Sequence, residues 1–253
     1  MKAFNYYAPT EIIFGCGRVQ EIGSITAQYG KKALLVTVPE FPEVKELYEK
    51  VKKSLRENGV EVVHFDGVIP NPTTDVVTEG ANMAKAAGVD VVIGLGGGSS
   101  IDTAKAIAVE ATHPGTAWDY NCHTPGPTSA TLPIIAIGTT AGTGSQCTQC
   151  AVITKTSEKD KSAIWHKNIF PKVAIVDPEV TVTMPKSVTA QTGFDAFAHN
   201  FEAYLSVKTS PLVEMMAIEA IKMIKEYLPK ALENPNDIEA RSKTSLADTL
   251  GGL

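Results

Sequence analysis

Five short runs of apolar, largely β-branched residues recur through the first two thirds of the chain. They are KALLVTV (Lys32–Val38), VEVVHF (Val60–Phe65), VDVVIGL (Val89–Leu95), PIIAIGT (Pro133–Thr139) and VAIVD (Val173–Asp177). The runs are nearly continuous rather than alternating, as in strands covered on both faces. Between them the period changes to that of a helix. PEVKELYEKVKKSLRENG sets Val44, Leu47, Val51 and Leu55 on one stripe and ends in Asn-Gly. TTDVVTEGANMAKAAG opens at a threonine cap and stops at Gly88. Strand and helix in alternation predict an α/β fold: a Rossmann-like domain with a mostly parallel sheet.

The pattern changes after Met184-Pro185. From Ser187 onward no strand-like run appears. SVTAQTGFDAFAHNFEAYLS, SPLVEMMAIEAIKMIKEYLPKALEN and DIEARSKTSLADTLGGL each read as a helix, with breakers between them. The expected division is an α/β domain over residues 1–185 and the start of an all-helical domain over 186–253. There is no internal repeat and no low-complexity tract.

Composition narrows the function. The chain has 253 residues, 43% of them hydrophobic, and a formal net charge of −5. No basic cluster has the density of a nucleic-acid footprint. No run spans a bilayer, and the N-terminal segment lacks a signal-peptide pattern, so the expected setting is cytoplasmic. The four cysteines, Cys16, Cys122, Cys147 and Cys150, do not form a disulfide framework. Cys147 and Cys150 make a CxxC with no second pair to complete a zinc site, so they read as small residues packed near a turn.

The chemistry-bearing stretch is VVIGLGGGSSIDTAKAIA (Val91–Ala108). A strand runs into Gly96-Gly97-Gly98-Ser99-Ser100 and then into a helix, whose first N–H groups have no partner within the helix. Glycine lets a phosphate approach that backbone, and the two serines can cap the helix and add hydroxyls. No Gly-Lys-Ser/Thr follows, so this is not a Walker A loop, and the G-x-G-x-x-G register is absent. Pyrophosphate binding is the better reading of three glycines than a tight turn alone. IGTTAGTGSQCT (Ile137–Thr148) is a second such turn after another strand. Further on, Asp195 and His199 are four apart on one helix face and can share a divalent metal or simply pair as surface ions. His64, His113, His123 and His166 show no ligand spacing.

Taken in order, these stretches resemble the iron-containing (group III) alcohol dehydrogenase family. The matching segments are YYAPTEIIFGCGRVQEIG, PNPTTD, GLGGGSSIDTAKAIA, GTTAGTGSQCT, AVIT, VAIVDPEV and TGFDAFAHNFEAYLS. The resemblance implies a dinucleotide-binding domain, a helical domain, and substrate and metal in the cleft between them. It places the cofactor pyrophosphate on Gly97, Gly98 and Ser99. It sets Thr139, Thr140, Thr148 and Lys161 against the cofactor, with Asp102 and Val38 among the cofactor-binding positions. It makes Asp195 and His199 metal ligands and catalytic through the metal, which is Fe2+ or alternatively Zn2+. The implied partners are a small alcohol or aldehyde and NAD or NADP, in a protein that is a homo-oligomer when full length.

Three departures from the family pattern stand out. Two further histidine ligands are expected beyond Leu253, which makes the chain an apparent fragment lacking half of the metal shell. Val38 occupies the position where NAD-preferring members carry Asp, which removes a repulsion toward a 2′-phosphate and opens the site to NADP, although Glu40 can still reach a ribose. Gln146 stands where the family commonly has Glu. Two alternatives stay open: a zinc enzyme like glycerol dehydrogenase or dehydroquinate synthase, and a nucleotide-binding fragment without activity. The PNPTTD and DAFAH motifs favour the iron-type branch.

Overall fold

Among the described residues eight strands follow one another: β1 (Glu11–Phe14), β2 (Lys32–Val36), β3 (Glu61–Phe65), β4 (Val91–Gly96), β5 (Ile134–Gly138), β6 (Cys150–Lys155), β7 (Asp160–Trp165) and β8 (Val173–Val176). The helices are α1 (Ile22–Thr26), α2 (Pro42–Glu57), α3 (Thr74–Ala87), α4 (Gly98–Glu110), α5 (Lys186–Leu205), α6 (Pro211–Glu233) and α7 (Ile238–Gly252). The structure, a computed structural model, describes residues 3–122 and 124–253. His123, one of the histidines set aside above, lies outside the described residues.

Six strands form one sheet in the order β1-β8-β5-β4-β2-β3, and every pairing in it is parallel. Successive side chains of β2 point to opposite faces. Leu34 and Val36 join a core built with α3 and α4, through residues such as Val77, Ala84, Ala104 and Ile107. Ala33 and Leu35 join the other core, with Tyr48, Val51 and Leu55 of α2. Both faces are therefore covered, which accounts for the unbroken apolar runs. Neighbouring β2 and β4 are followed by helices on opposite faces, so a crevice opens above their carboxyl ends, where such sheets place ligands.

α4 is buried almost all round, from Ser100 to Glu110. It lies so close to the sheet that a Cβ on Gly94 would come within 2.9 Å of the Ile101 Cα. On its outer side it meets β6, part of an antiparallel hairpin with β7. That hairpin and the edge strand β1 are absent from the sequence reading. β1 is half-buried and short, and the hairpin strands carry Cys, Thr, Lys and Asp among their apolar residues, so neither makes a continuous run.

The last three helices pack on one another around Ala196, Ala220, Ile224 and Ala247. α5 begins at Lys186, directly after Pro185. No helix among the described residues is long and apolar enough to cross a membrane. The helix caps bring one correction. Thr73 caps α3 through its side chain, and Gly88 closes it in the left-handed region, as expected. Ser99 and Ser100 do not cap α4. Its cap is Gly97, with no side-chain cap bond; both serines lie inside the first turn, and the buried Ser100 Oγ has no partner. The helix starts two residues earlier than a cap at Ser99 requires, directly after the backbone turns on Gly96 at φ +148°, a conformation that side chains rarely adopt.

Candidate active-site cleft

A cleft of about 700 Å³ opens above the carboxyl end of the sheet. Its floor is the head of α4, with Gly98, Ser99 and Asp102. One wall is the segment after β5 and the hairpin: Thr143, Ser145, Thr148, Cys150, Val152, Lys161 and Trp165. The opposite wall is α5, with Asp195, His199, Glu202, Ala203 and Ser206, joined by Gly251 and Gly252 of α7. Asn71 and Pro72 complete the rim.

Seven residues singled out in the sequence thus line one cavity: Gly98, Ser99, Asp102, Thr148, Lys161, Asp195 and His199. Gly97 and Thr140 lie just behind it, packed so that a Cβ on Gly97 would come within 3.2 Å of Thr140 Cγ2. The Thr139 amide donates to the Gly96 carbonyl at 2.9 Å and ties the second glycine-rich turn to the first. Val38 is not in the cleft lining. It sits half-buried past the end of β2 and packs against the core, its carbonyl accepting from Tyr48 Oη at 3.3 Å. Glu40 faces Lys45 at 3.8 Å.

The rim is held across the cavity mouth. Lys161 Nζ donates to Asn71 Oδ1 at 2.8 Å, and the Thr154 amide donates to the Pro72 carbonyl at 2.8 Å. The PNPTTD segment is thereby fixed on the β6–β7 hairpin.

On α5, Asp195 Oδ1 lies 3.8 Å from His199 Nε2. His199 Nδ1 meets the Gly142 carbonyl at 3.0 Å. A carbonyl only accepts, so the proton sits on Nδ1 and the lone pair of the neutral ring on Nε2, turned toward the carboxylate. One carboxylate oxygen and one imidazole nitrogen, side by side in a cleft, fit half of the shell of a divalent metal. Among the described residues no group of three or more such donors exists. The other described histidines have local duties. His64 pairs with Thr37 Oγ1 at 2.9 Å, His113 Nε2 accepts from the Thr128 amide at 2.9 Å, and His166 caps a short turn through Asn168.

The cysteines of the CxxC are free thiols. Burial pushes Cys147 up to about 12 and Cys150 up to about 11, so neither is a thiolate at neutral pH. Cys150 nevertheless lines the cleft.

Beside the cleft, the buried charged groups Lys105 and Asp248 escaped the sequence reading. Lys105, fully buried in α4, donates to Ser145 Oγ (3.2 Å), the Thr148 carbonyl (2.8 Å), Thr148 Oγ1 (3.2 Å) and the Cys150 carbonyl (2.7 Å). Burial holds its ammonium below the usual lysine range, against the pull of Asp102. Asp248 of α7 accepts from the Gly144 amide and from Gln146 Nε2, both at 2.8 Å. Burial lifts its carboxyl to about 6, with those two bonds opposing. Lys105 had one available signal: a single lysine set within the small and apolar run Thr103–Val109.

The chain matches one family of known proteins along most of its length. Residues 9–178 match the family model for iron-containing alcohol dehydrogenase, and residues 189–253 match its C-terminal counterpart. The chain belongs to the iron-containing alcohol dehydrogenase family. It is 40% identical over 252 residues to an NAD-dependent methanol dehydrogenase of Bacillus methanolicus, covering 98% of this chain and 65% of that one. It is 36% identical to a 1,3-propanediol dehydrogenase of Citrobacter freundii, covering all of this chain and 65% of the relative. Among solved structures, an archaeal halo-thermophilic alcohol dehydrogenase from a Red Sea brine pool superposes with a TM-score of 0.96. It is 41% identical, with 100% of this chain and 65% of that one covered. The chain therefore spans just under two thirds of the length of these family members.

Proposed function

We propose that this chain is the cofactor-binding portion, with half of the metal shell, of an enzyme that transfers hydride between a primary alcohol or diol and NAD or NADP. One observation supports this most strongly: the glycine-headed α4 and the Asp195–His199 pair face the same cleft. The relatives named for methanol and 1,3-propanediol point to small alcohols. The natural division is a dinucleotide domain over 1–185 and a helical metal and substrate portion over 186–253. A cytoplasmic homo-oligomer is the setting that goes with the reading.

In this reading the first amides of α4, at Gly98 and Ser99, receive the pyrophosphate, and the positive end of the helix complements its charge. A side chain at Gly97 or Gly98 would stand between Thr140 or Thr143 and that anion. Thr148 and Lys161 flank the nicotinamide half. Asp195 and His199 hold a divalent metal, Fe2+ with Zn2+ as the alternative, since their donors suit both. When bound, that metal supplies Lewis-acid polarisation of an alcohol oxygen. The Gly142 carbonyl keeps His199 in the tautomer whose Nε2 can coordinate. With Val38 in place of an acidic residue, nothing at that position repels a 2′-phosphate. Separate titrations of NADH and NADPH, followed by nicotinamide fluorescence, test the reading. Saturable binding of at least one supports it, and no binding of either by the folded chain overturns it.

A further inference from the structure

The segment 145–152 forms much of one cleft wall, yet little backbone pairing holds its first half. Two side chains of α4 do that work instead. Asp102 accepts from Ser145 Oγ at 2.5 Å and from the Val152 amide at 3.1 Å. One turn on, Lys105 donates to Ser145, Thr148 and Cys150. Ser145 Oγ is the link between them, accepting from the ammonium and donating to the carboxylate. The same helix that carries the glycine turn at its head therefore clamps the 145–152 wall through its flank.

We propose that Lys105 is a positioning residue of the dinucleotide site, setting the 145–152 wall at a fixed distance from the head of α4 through Ser145 and Asp102. This rests on the reading of the cleft as a dinucleotide site. The structural requirement is plain. A fully buried ammonium needs compensation, which comes here from one carboxylate and four acceptor contacts. Every acceptor belongs to the wall, so the charge is satisfied only when the wall is seated. A helix that merely needed filling would take a methionine or leucine there at lower cost.

Removing the ammonium also changes Asp102. The charged and titratable groups around that carboxyl are Lys105 on its own helix, Lys161 on β7, and Cys150 on β6. Ser145 and the Val152 amide complete its surroundings. Lys105 and the two hydrogen bonds oppose the upward push of burial. Without Lys105 the carboxyl takes up a proton at higher pH. Once protonated, it can no longer accept from both Ser145 and Val152.

The test compares wild type with Lys105→Met and Ser145→Ala, after circular dichroism has confirmed folding. Hydrogen exchange over residues 145–152 is read without ligand, and the NADH dissociation constant is read at several pH values. Exchange across 145–152 should quicken in both variants while the strands of the parallel sheet keep wild-type protection. The NADH dissociation constant should rise roughly tenfold or more, the size expected from losing hydrogen bonds to a charged group. For Lys105→Met the ratio to wild type should also grow as pH falls, which a general packing defect would not produce. Wild-type exchange over 145–152, or wild-type affinity, in a folded Lys105→Met chain overturns the proposal. Should that variant not fold, Ser145→Ala decides, since it cuts the link and leaves both charges in place. Should wild type bind neither NADH nor NADPH, the reading of the cleft fails, and the exchange data alone judge the clamp.

Discussion

Gln146 Nε2 lies 2.8 Å from Asp248 Oδ2, and the contact joins the second glycine-rich turn to the last helix. It supplies a physical reason for the Gln at a position where the family commonly has Glu. Both residues are buried, at 3% and 2% exposure, so a second carboxylate here would face Asp248 with no water between them. Gln146→Glu should destabilise the chain by about 2–4 kcal/mol near neutral pH, from like-charge repulsion and a lost donor. Urea denaturation checks this, and the loss should shrink on acidification.

Asp248 sets a pH dependence of its own. Its folded value of about 6 lies above the ordinary 3.8, so the folded state binds the proton more tightly. Its contribution to stability is therefore least above pH 6 and improves as pH falls through 6 toward 4. Asp248→Asn can keep the Gly144 bond through its oxygen, and a flipped Gln146 amide can accept from its nitrogen. The variant should match or exceed wild type at pH 7.5 and fall behind near pH 5, by roughly 1–3 kcal/mol across the range. A difference that is constant with pH would contradict this.

Glycine substitutions separate dihedral cost from contact cost. Gly59 has φ +75° and open space around its missing Cβ, so Gly59→Ala should cost about 1 kcal/mol. Gly96 has φ +148°, and an added Cβ would come within 2.4 Å of Ser100 Oγ. Gly96→Ala should cost clearly more, about 2–3 kcal/mol. Thermal or urea melts of the pair decide the order.

The Asp195–His199 pair predicts joint behaviour. His199→Ala and Asp195→Ala should each weaken Zn2+ or Co2+ binding to this chain at least about tenfold, because neither donor alone makes a chelate. The double variant should be little worse than either single one. Competitive chelator titration gives the numbers, and independent, additive losses would argue against a shared metal.

Much of this was legible from residue pattern. β4, β5 and β8, and β2 from Ala33 on, are apolar because helices cover both sheet faces, and that burial is what the runs record. The glycine turn and the Asp195–His199 spacing were also readable, since both are local. The rest depends on distant parts of the chain. β1 is strand because Glu11 to Phe14 pair with Val173 to Val176, more than 150 residues away. Lys105 looks like a solvent-facing lysine until β6 covers it, and Asp248 looks like a helix-surface acid until Gly144 and Gln146 close over it. The serine cap failed for a local reason: Gly97 takes the cap position two residues before Ser99.

The account stands most directly on the backbone at the head of α4 receiving a dinucleotide phosphate. The measurement is an NADH and NADPH fluorescence titration of wild type beside Gly97→Val, with circular dichroism on both. Saturable binding by wild type, lost in a folded Gly97→Val chain, is the predicted result. Equal binding by both folded chains would place the cofactor elsewhere and contradict the account.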